Sequence, residues 1–318
     1  MSFALDVKEE IVSHTFTDEQ KKAFLCGFIK YNGEILISDN QSRLILSTIS
    51  NRVARTIISF IKTFYNGEIL ISILQSQKLK KNKVFQVTLV EDIFEFLFNF
   101  NIYNTNKSGK IIEVDYNLIQ NTSLLRAYIS GVFIAIGSVN SPQTSNYHLE
   151  LQFGDELSTE VFKNLLEPLG FDFKSIKRKT KYVSYIKKST AVSDFLKLID
   201  APNSVMKFEN KRISRDMQNN INRMINIDIS NQAKTLDAGQ RQVTQILYLK
   251  EKNYFGFLSD KARFLANIRL ERPEATFSEL EEILNNNNIS ITKSGVSNLF
   301  KNIEKIYKNS QEGKNEKR

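Results

Sequence analysis

Residues 25–33 read LCGFIKYNG, and residues 129–137 read ISGVFIAIG. In each stretch two glycines lie six positions apart, Gly27 with Gly33 and Gly131 with Gly137, within an otherwise apolar, helix-like run. A glycine inside a helix is worse than alanine by about 1 kcal/mol, so the same pair in two places calls for a packing reason. Without a Cβ, Gly27 and Gly131 would let two helices approach closely, and Gly33 and Gly137 would end them. The offset of about 104 residues marks an internal repeat.

The order of elements around the glycines repeats too. A strand-like run follows each second glycine, at 34–38 and 138–139, and then an alternating strand, at 43–48 and 147–153. In the later strand Tyr147, Leu149, Leu151 and Phe153 face one way and His148, Glu150 and Gln152 the other, as expected for a sheet with one buried and one polar face. His148 and Glu150 are expected to form a partly buried hydrogen-bonded pair. Amphipathic helices at 52–64 and 159–169, a strand hairpin, and short helices near 94–98 and 192–199 complete two αββαββα units. Beyond Asp200 the pattern is helical throughout, with candidate helices at 207–225, 232–250, 258–270, 277–284 and 293–308.

The chain has 318 residues, 41% hydrophobic, enough for two or three cores. Its net charge of +9 favours a polyanionic partner. Residues 174–223 alone carry a net +9, so the positive charge is localised. No apolar run approaches the roughly 20 residues needed to span a bilayer, and MSFALDVKEEIVSH is acidic where a signal peptide is basic. A cytoplasmic, nucleoid-associated protein without membrane contact is expected. One cysteine, Cys26, and two histidines exclude an intramolecular disulfide and argue against a zinc site, so no metal or cofactor is expected. Cys26 itself reads as a packed core residue.

The paired glycine helices resemble the LAGLIDADG signature of homing endonucleases. That resemblance implies two helices packed at a pseudo-twofold axis beneath a saddle of two four-stranded sheets, with a metal-binding acid just before the last glycine of each helix. Those positions are Asn32 and Ile136 here. Hydrolysis of a phosphodiester by metal ions needs charged oxygen ligands. Asn32 could supply one weak carbonyl ligand and Ile136 none, and neither Lys30, Ile134 nor the unpaired Glu34 makes up the loss. A degenerate, non-enzymatic unit follows.

Both repeats carry cations at the hairpin between their third and fourth strands: Lys78, Lys80, Lys81 and Lys83 in the first, and Lys177, Arg178, Lys179 and Lys181, preceded by Lys174, in the second. They are candidate phosphate contacts, or else solvated turns that protect sheet edges. Farther on, Thr276 and Glu279 have capping-box spacing, and Thr292 can cap the helix that starts at Lys293. On that helix Val296, Leu299, Phe300, Ile303 and Ile306 share an apolar face. Lys293, Ser294, Ser297, Asn298, Lys301 and Lys305 are assigned to DNA, as on a recognition helix. The turn before it, with four consecutive asparagines, is longer than that of a compact helix-turn-helix.

The stretches MSFALDVKEE, LLRAYISGVFIAIGSVNSPQTSNYHLEL (124–151), KFENKRISRDMQNNINRMINIDISNQAKT (207–235), GQRQVTQI (239–246) and TKSGVSNLF (292–300) resemble the WhiA family of bacterial regulators. The resemblance implies a two-repeat degenerate LAGLIDADG domain, a helical linker and a helix-turn-helix similar to the promoter-reading domain of sigma factors, with roles in transcription, cell division and chromosome segregation.

The expected fold is α+β: two tandem αββαββα repeats forming a pseudo-twofold saddle, then an all-α helix-turn-helix domain. The expected divisions are an N-terminal helix with repeat 1 at 1–100, a linker at 101–122, repeat 2 at 123–205, a helical linker at 206–230, the helix-turn-helix domain at 231–310 and a disordered tail at 311–318. The expected function is sequence-specific, non-nucleolytic binding of double-stranded promoter DNA by a monomer, with RNA polymerase or another regulatory protein as a further candidate partner. A non-specific nucleoid or RNA-associated scaffold and a metal-dependent endonuclease are the alternatives.

Overall fold

The chain begins with α1 (Phe3–Ile11), and the first repeat follows as α2 (Asp18–Asn32), β1 (Glu34–Ser38), β2 (Gln41–Thr48), α3 (Asn51–Ile61), β3 (Ile69–Gln75), β4 (Lys83–Leu89) and α4 (Ile93–Asn99). The second repeat runs in the same order as α5 (Thr122–Ile136), β5 (Gly137–Val139), β6 (Leu149–Phe153), α6 (Glu156–Leu166), β7 (Lys174–Arg178), β8 (Lys181–Ile186) and α7 (Ser189–Leu198). This is a computed structural model that describes residues 2–38, 41–75, 83–104 and 109–312. Each repeat forms one four-stranded antiparallel sheet, ordered β1-β2-β4-β3 and β5-β6-β8-β7. The two repeats share one core. They lie in the first of two units, which divide between Arg215 and Asp216.

The glycines do what their spacing implied. Helices α2 and α5 make the most extensive contact between any two elements. A Cβ on Gly27 would collide with the carbonyl oxygen of Tyr128, and one on Gly131 with that of Phe24. Phe24 and Tyr128 are related by the same offset as the glycines, so the contact is its own pseudo-twofold image. Polar side chains start both helices: Thr17 and Gln20 form a capping box, and the Asn121 Oδ1 accepts from the Leu124 amide at 2.9 Å. Gly33 and Gly137 end them, with φ of −70° and −81° rather than in the left-handed region. Glycine is needed there for space, since a Cβ would press on Ile29 O in one copy and on the Phe133 ring in the other.

Helix α1 ties distant parts of this unit together. The Glu9 carboxylate accepts from the Ser50 hydroxyl at 2.7 Å. Glu10 accepts from the backbone amides of Asn203 and Ser204, placing negative charge at the N-terminus of α8 (Pro202–Glu251). Arg215, also on α8, stacks over the Tyr147 ring and donates to the carbonyls of Pro142, Thr144 and Ser145. The run GSVNSP is therefore strand β5 followed by the start of a loop clamped by an arginine.

The second unit packs the latter part of α8 with α9 (Asp260–Glu271), α10 (Phe277–Asn286) and α11 (Lys293–Glu312) around Ile246, Leu249, Leu265, Leu280, Val296 and Ile303. Among the helical boundaries that differ from the sequence reading, two bear on the domain organisation. The helices expected at 207–225 and 232–250 are one helix, because the intervening NIDISN contains polar residues but no glycine or proline to break it. Helix α11 continues to Glu312, so the first two residues of the expected tail are helical; the remainder lies outside the described residues.

Replacing Gly131 by alanine should gain helix propensity but force α2 and α5 apart. Urea denaturation is expected to show a net loss of about 1–3 kcal/mol, the range for an overpacked core. A stabilised Gly131→Ala variant would refute the close-approach argument.

Candidate nucleic-acid interface

The ends of α2 and α5 are where a LAGLIDADG nuclease would hold metal. Asn32 is tied to β2 there: its Oδ1 accepts from the Ser47 amide at 2.8 Å and its Nδ2 donates to the Ser47 carbonyl at 3.0 Å. Its amide fastens α2 to β2, so the weak ligand that the sequence allowed is already in use. Ile136 offers no donor atom, and no cluster of three or more His, Cys, Asp or Glu suited to a metal occurs among the described residues. Two ammonium groups belong to the same region, Lys8 at the end of α5 and Lys30 on the last turn of α2. Lys8 Nζ donates to Ile134 O at 3.0 Å, in the last turn of α5, and Lys30 Nζ donates to the carbonyls of Ile112 and Glu113 at 2.7 Å each. Burial pushes both down to about 8. The residues present do not fit a divalent cation, because a neutral amide and a hydrocarbon side chain, Asn32 and Ile136, stand where negative oxygen ligands are required. Cys26 is buried against Phe100 O and pushed up to about 12, as befits an inert core thiol.

One face of the second sheet carries a cluster of polar groups among Ile176, Val183 and Tyr185. His148 Nε2 lies 2.8 Å from Glu150 Oε2, in the expected partly buried pair, and Arg178 and Gln152 also donate to Glu150. These contacts hold the Glu150 carboxyl below its usual range despite partial burial. Strand register puts Lys174, Arg178 and Lys181 on this face. Lys177 turns to the other face, over the Tyr182 ring, and Lys179 occupies the turn with φ of 53°. The second hairpin therefore does not present all its cations in one direction. In the first hairpin Lys83 is exposed at the start of β4, while Lys78, Lys80 and Lys81 lie outside the described residues.

In the second unit the Thr276–Glu279 capping box forms as expected. Helix α10 continues two residues beyond its expected end, which shortens the turn before α11 to 287–292. Asn285 organises that turn, its side chain bonding both the amide and the carbonyl of Ile291 at 3.0 and 3.1 Å, and Asn288 takes the left-handed conformation that asparagine tolerates. The asparagine run is thus a built helix-turn-helix corner. The Thr292 hydroxyl accepts from the Gly295 amide and starts α11. Val296, Phe300 and Ile303 are buried, whereas Lys293, Ser294, Asn298, Lys301 and Lys305 are exposed and Ser297 is half-buried.

The residue that sequence reasoning missed is Arg269. It is 1% exposed, with Nη1 donating to the carbonyls of Arg272, Pro273 and Ala275 and its guanidinium lying over the Phe300 ring at 5.2 Å. One side chain thus fixes the α9–α10 corner and the back of α11. Gly239 on α8 makes room, since a Cβ there would strike Pro273 O. The clue lay in GQRQVTQI, where a glycine interrupts a long helix, but its partner 34 residues away is invisible in one dimension.

These features define a class: two LAGLIDADG-like domains without the metal-binding acids, followed by a helix-turn-helix domain. Models of the WhiA N-terminal LAGLIDADG-like domain, the WhiA LAGLIDADG-like domain and the WhiA C-terminal HTH domain match residues 18–103, 125–218 and 221–307. The chain is 36% identical to a probable cell division protein WhiA of Lactobacillus acidophilus, over 96% of this chain and 97% of that protein. The corresponding Enterococcus faecalis protein is 34% identical over 96% and 97% of the two chains. The chain belongs to the WhiA family. Its fold matches that of full-length WhiA from Thermotoga maritima, with a TM-score of 0.57 and 22% identity, covering 97% of this chain and 98% of that one. Among the described residues no helix is long and apolar enough to cross a membrane.

Two measurements check these assignments. Folded Lys8 and Lys30 lose their protons near pH 8, while the unfolded chain holds them to about 10.5. Below pH 8 both states are protonated and the desolvation penalty opposes folding in full. Between pH 8 and about 10 the unfolded state binds more protons, so this contribution makes stability rise with pH, by at most about 1.4 kcal/mol per pH unit for each group. Lys8→Met is expected to remove about half of that contribution; an unchanged slope in urea titrations would count against it. Separately, Arg269→Met should lower the hydrogen-exchange stability of α10 and α11 by about 3 kcal/mol, as for loss of charged hydrogen bonds.

Proposed function

We propose that the protein is a sequence-specific, double-stranded DNA-binding transcriptional regulator acting in cell division and chromosome segregation, without nuclease activity. The observation that carries this reading is α11. Its buried side is anchored by Val296, Phe300 and Ile303, and its outer side exposes Lys293, Ser294, Asn298, Lys301 and Lys305. Short polar groups suit base edges in the major groove, and the lysines suit phosphates. Ser297, half-buried beside them, belongs to the same set. The names of the relatives, which call them probable cell division proteins, support the cellular role.

Absence of catalysis is supported by the engaged Asn32 amide and the hydrocarbon of Ile136. In the sheet region, Lys83, Arg178, Lys179 and Lys181 are the described candidates for added phosphate contacts, with Lys177 on the opposite face as a weaker one. Lys78, Lys80 and Lys81 join the proposal on sequence alone. The site of action on this reading is the nucleoid, in the cytoplasm, with RNA polymerase or a regulatory protein as a second partner.

The test is binding to genomic promoter fragments and to random duplex at fixed salt, with magnesium present. Preference for a subset of promoters without nicking is expected. Lys301→Ala and Lys305→Ala should weaken every sequence alike and reduce the salt slope by about 0.9 per lost phosphate contact, whereas Asn298→Ala should relax sequence preference. Equal affinity for all duplexes would favour a non-specific scaffold, and cleavage would restore the nuclease reading.

A further inference from the structure

The two repeats treat their outer edge strands in opposite ways. Strand β7 reads KSIKR, an edge guarded by charge, while its counterpart β3 reads ILISILQ. Among the described residues β3 pairs only with β4, so every second residue turns its amide and carbonyl outward. Its side chains are exposed on both faces: Leu70 44%, Ile71 60%, Ile73 59% and Leu74 48%. Alternating hydrophobic and polar residues mark a strand with one wet face, whereas continuous apolar sequence marks one covered on both. A flat apolar edge of this kind, left open, is a template for pairing with another strand.

The sequence of β3 indicates which strand fits. About Ser72 it is nearly palindromic: Ile71 mirrors Ile73 and Leu70 mirrors Leu74. An antiparallel two-fold pairing centred on Ser72 sets each Ile71 opposite the other copy's Ile73 and each Leu70 opposite its Leu74. This is the self-complementarity that an isologous interface requires. Cross-strand β-branched and aliphatic pairs are the ones that stabilise a ladder. The pairing also sends the ends of the two hairpins where Gln75 meets Lys83 to opposite ends of the joined sheet, keeping those lysines apart. In place of the monomer that the sequence suggested, we propose that a second copy of this chain docks on β3 and joins the two first-repeat sheets into one eight-stranded antiparallel sheet. This is independent of the DNA-binding assignment to α11.

The experiment is sedimentation equilibrium of the full chain with and without the double substitution Ile71→Lys and Ile73→Lys. Both side chains are exposed, so the fold should persist, as circular dichroism and thermal melting would report. The unaltered protein is expected to show twice the chain mass, and the double variant to weaken the dimer at least tenfold. Ser72→Cys supplies an independent readout. In the proposed register it faces its own copy at about 4.5–5.5 Å between Cα atoms, within disulfide range, whereas the native Cys26 is buried. Oxidation should link Ser72→Cys chains into covalent dimers and leave the unaltered chain unlinked. A chain that stays monomeric at every concentration would overturn the proposal. So would a dimer indifferent to the two lysines, or a dimer in which Ser72→Cys fails to link.

Discussion

The backbone-to-backbone approach of α2 and α5 is the constraint on which the first unit depends. Gly27 sits against the Tyr128 carbonyl and Gly131 against the Phe24 carbonyl, with Val132 and Phe28 close beside them. Side chains larger than hydrogen at those two positions would separate the repeats and open the core that they share. Everything built on the helix ends inherits this geometry, including the sheets, the Asn32 amide that grips β2 and the Lys8 ammonium at the end of α5.

That inheritance keeps the LAGLIDADG-like architecture in place although the metal-binding acids are replaced. The helix ends are tied to their surroundings by neutral and cationic groups: Asn32 of α2 to Ser47 of β2, Lys8 of α1 to Ile134 of α5, and Lys30 of α2 to Ile112 and Glu113. The buried ammonium groups satisfy carbonyls that would otherwise be orphaned. The second unit relies on an analogous cationic hub, with Arg269 gathering three carbonyls and the Phe300 ring.

The localised positive charge was less free than its count suggested. Within 174–223, Arg178 is bound to Glu150, Arg212 to Glu209, Lys197 to Asp194, and Arg215 to loop carbonyls. The lysines of α11 named for DNA have no such partner among the described contacts, and they project from a helix whose other side is packed. This difference in engagement, rather than total charge, directs attention to α11.

The sequence by itself determined the repeat, the order of elements, the capped helix starts and the loss of the metal-binding acids, because each is a local pattern of residue type and spacing. It also separated the buried from the exposed side of α11, since helical periodicity fixes that division. It did not determine that Asn32 is consumed by β2 or that Lys177 faces away from Arg178. Nor did it indicate that Arg269 binds the α9–α10 corner, or that β3 leaves an apolar edge open among the described residues. Those follow from which segments meet across tens or hundreds of residues, and only tertiary packing decides which donor finds which carbonyl.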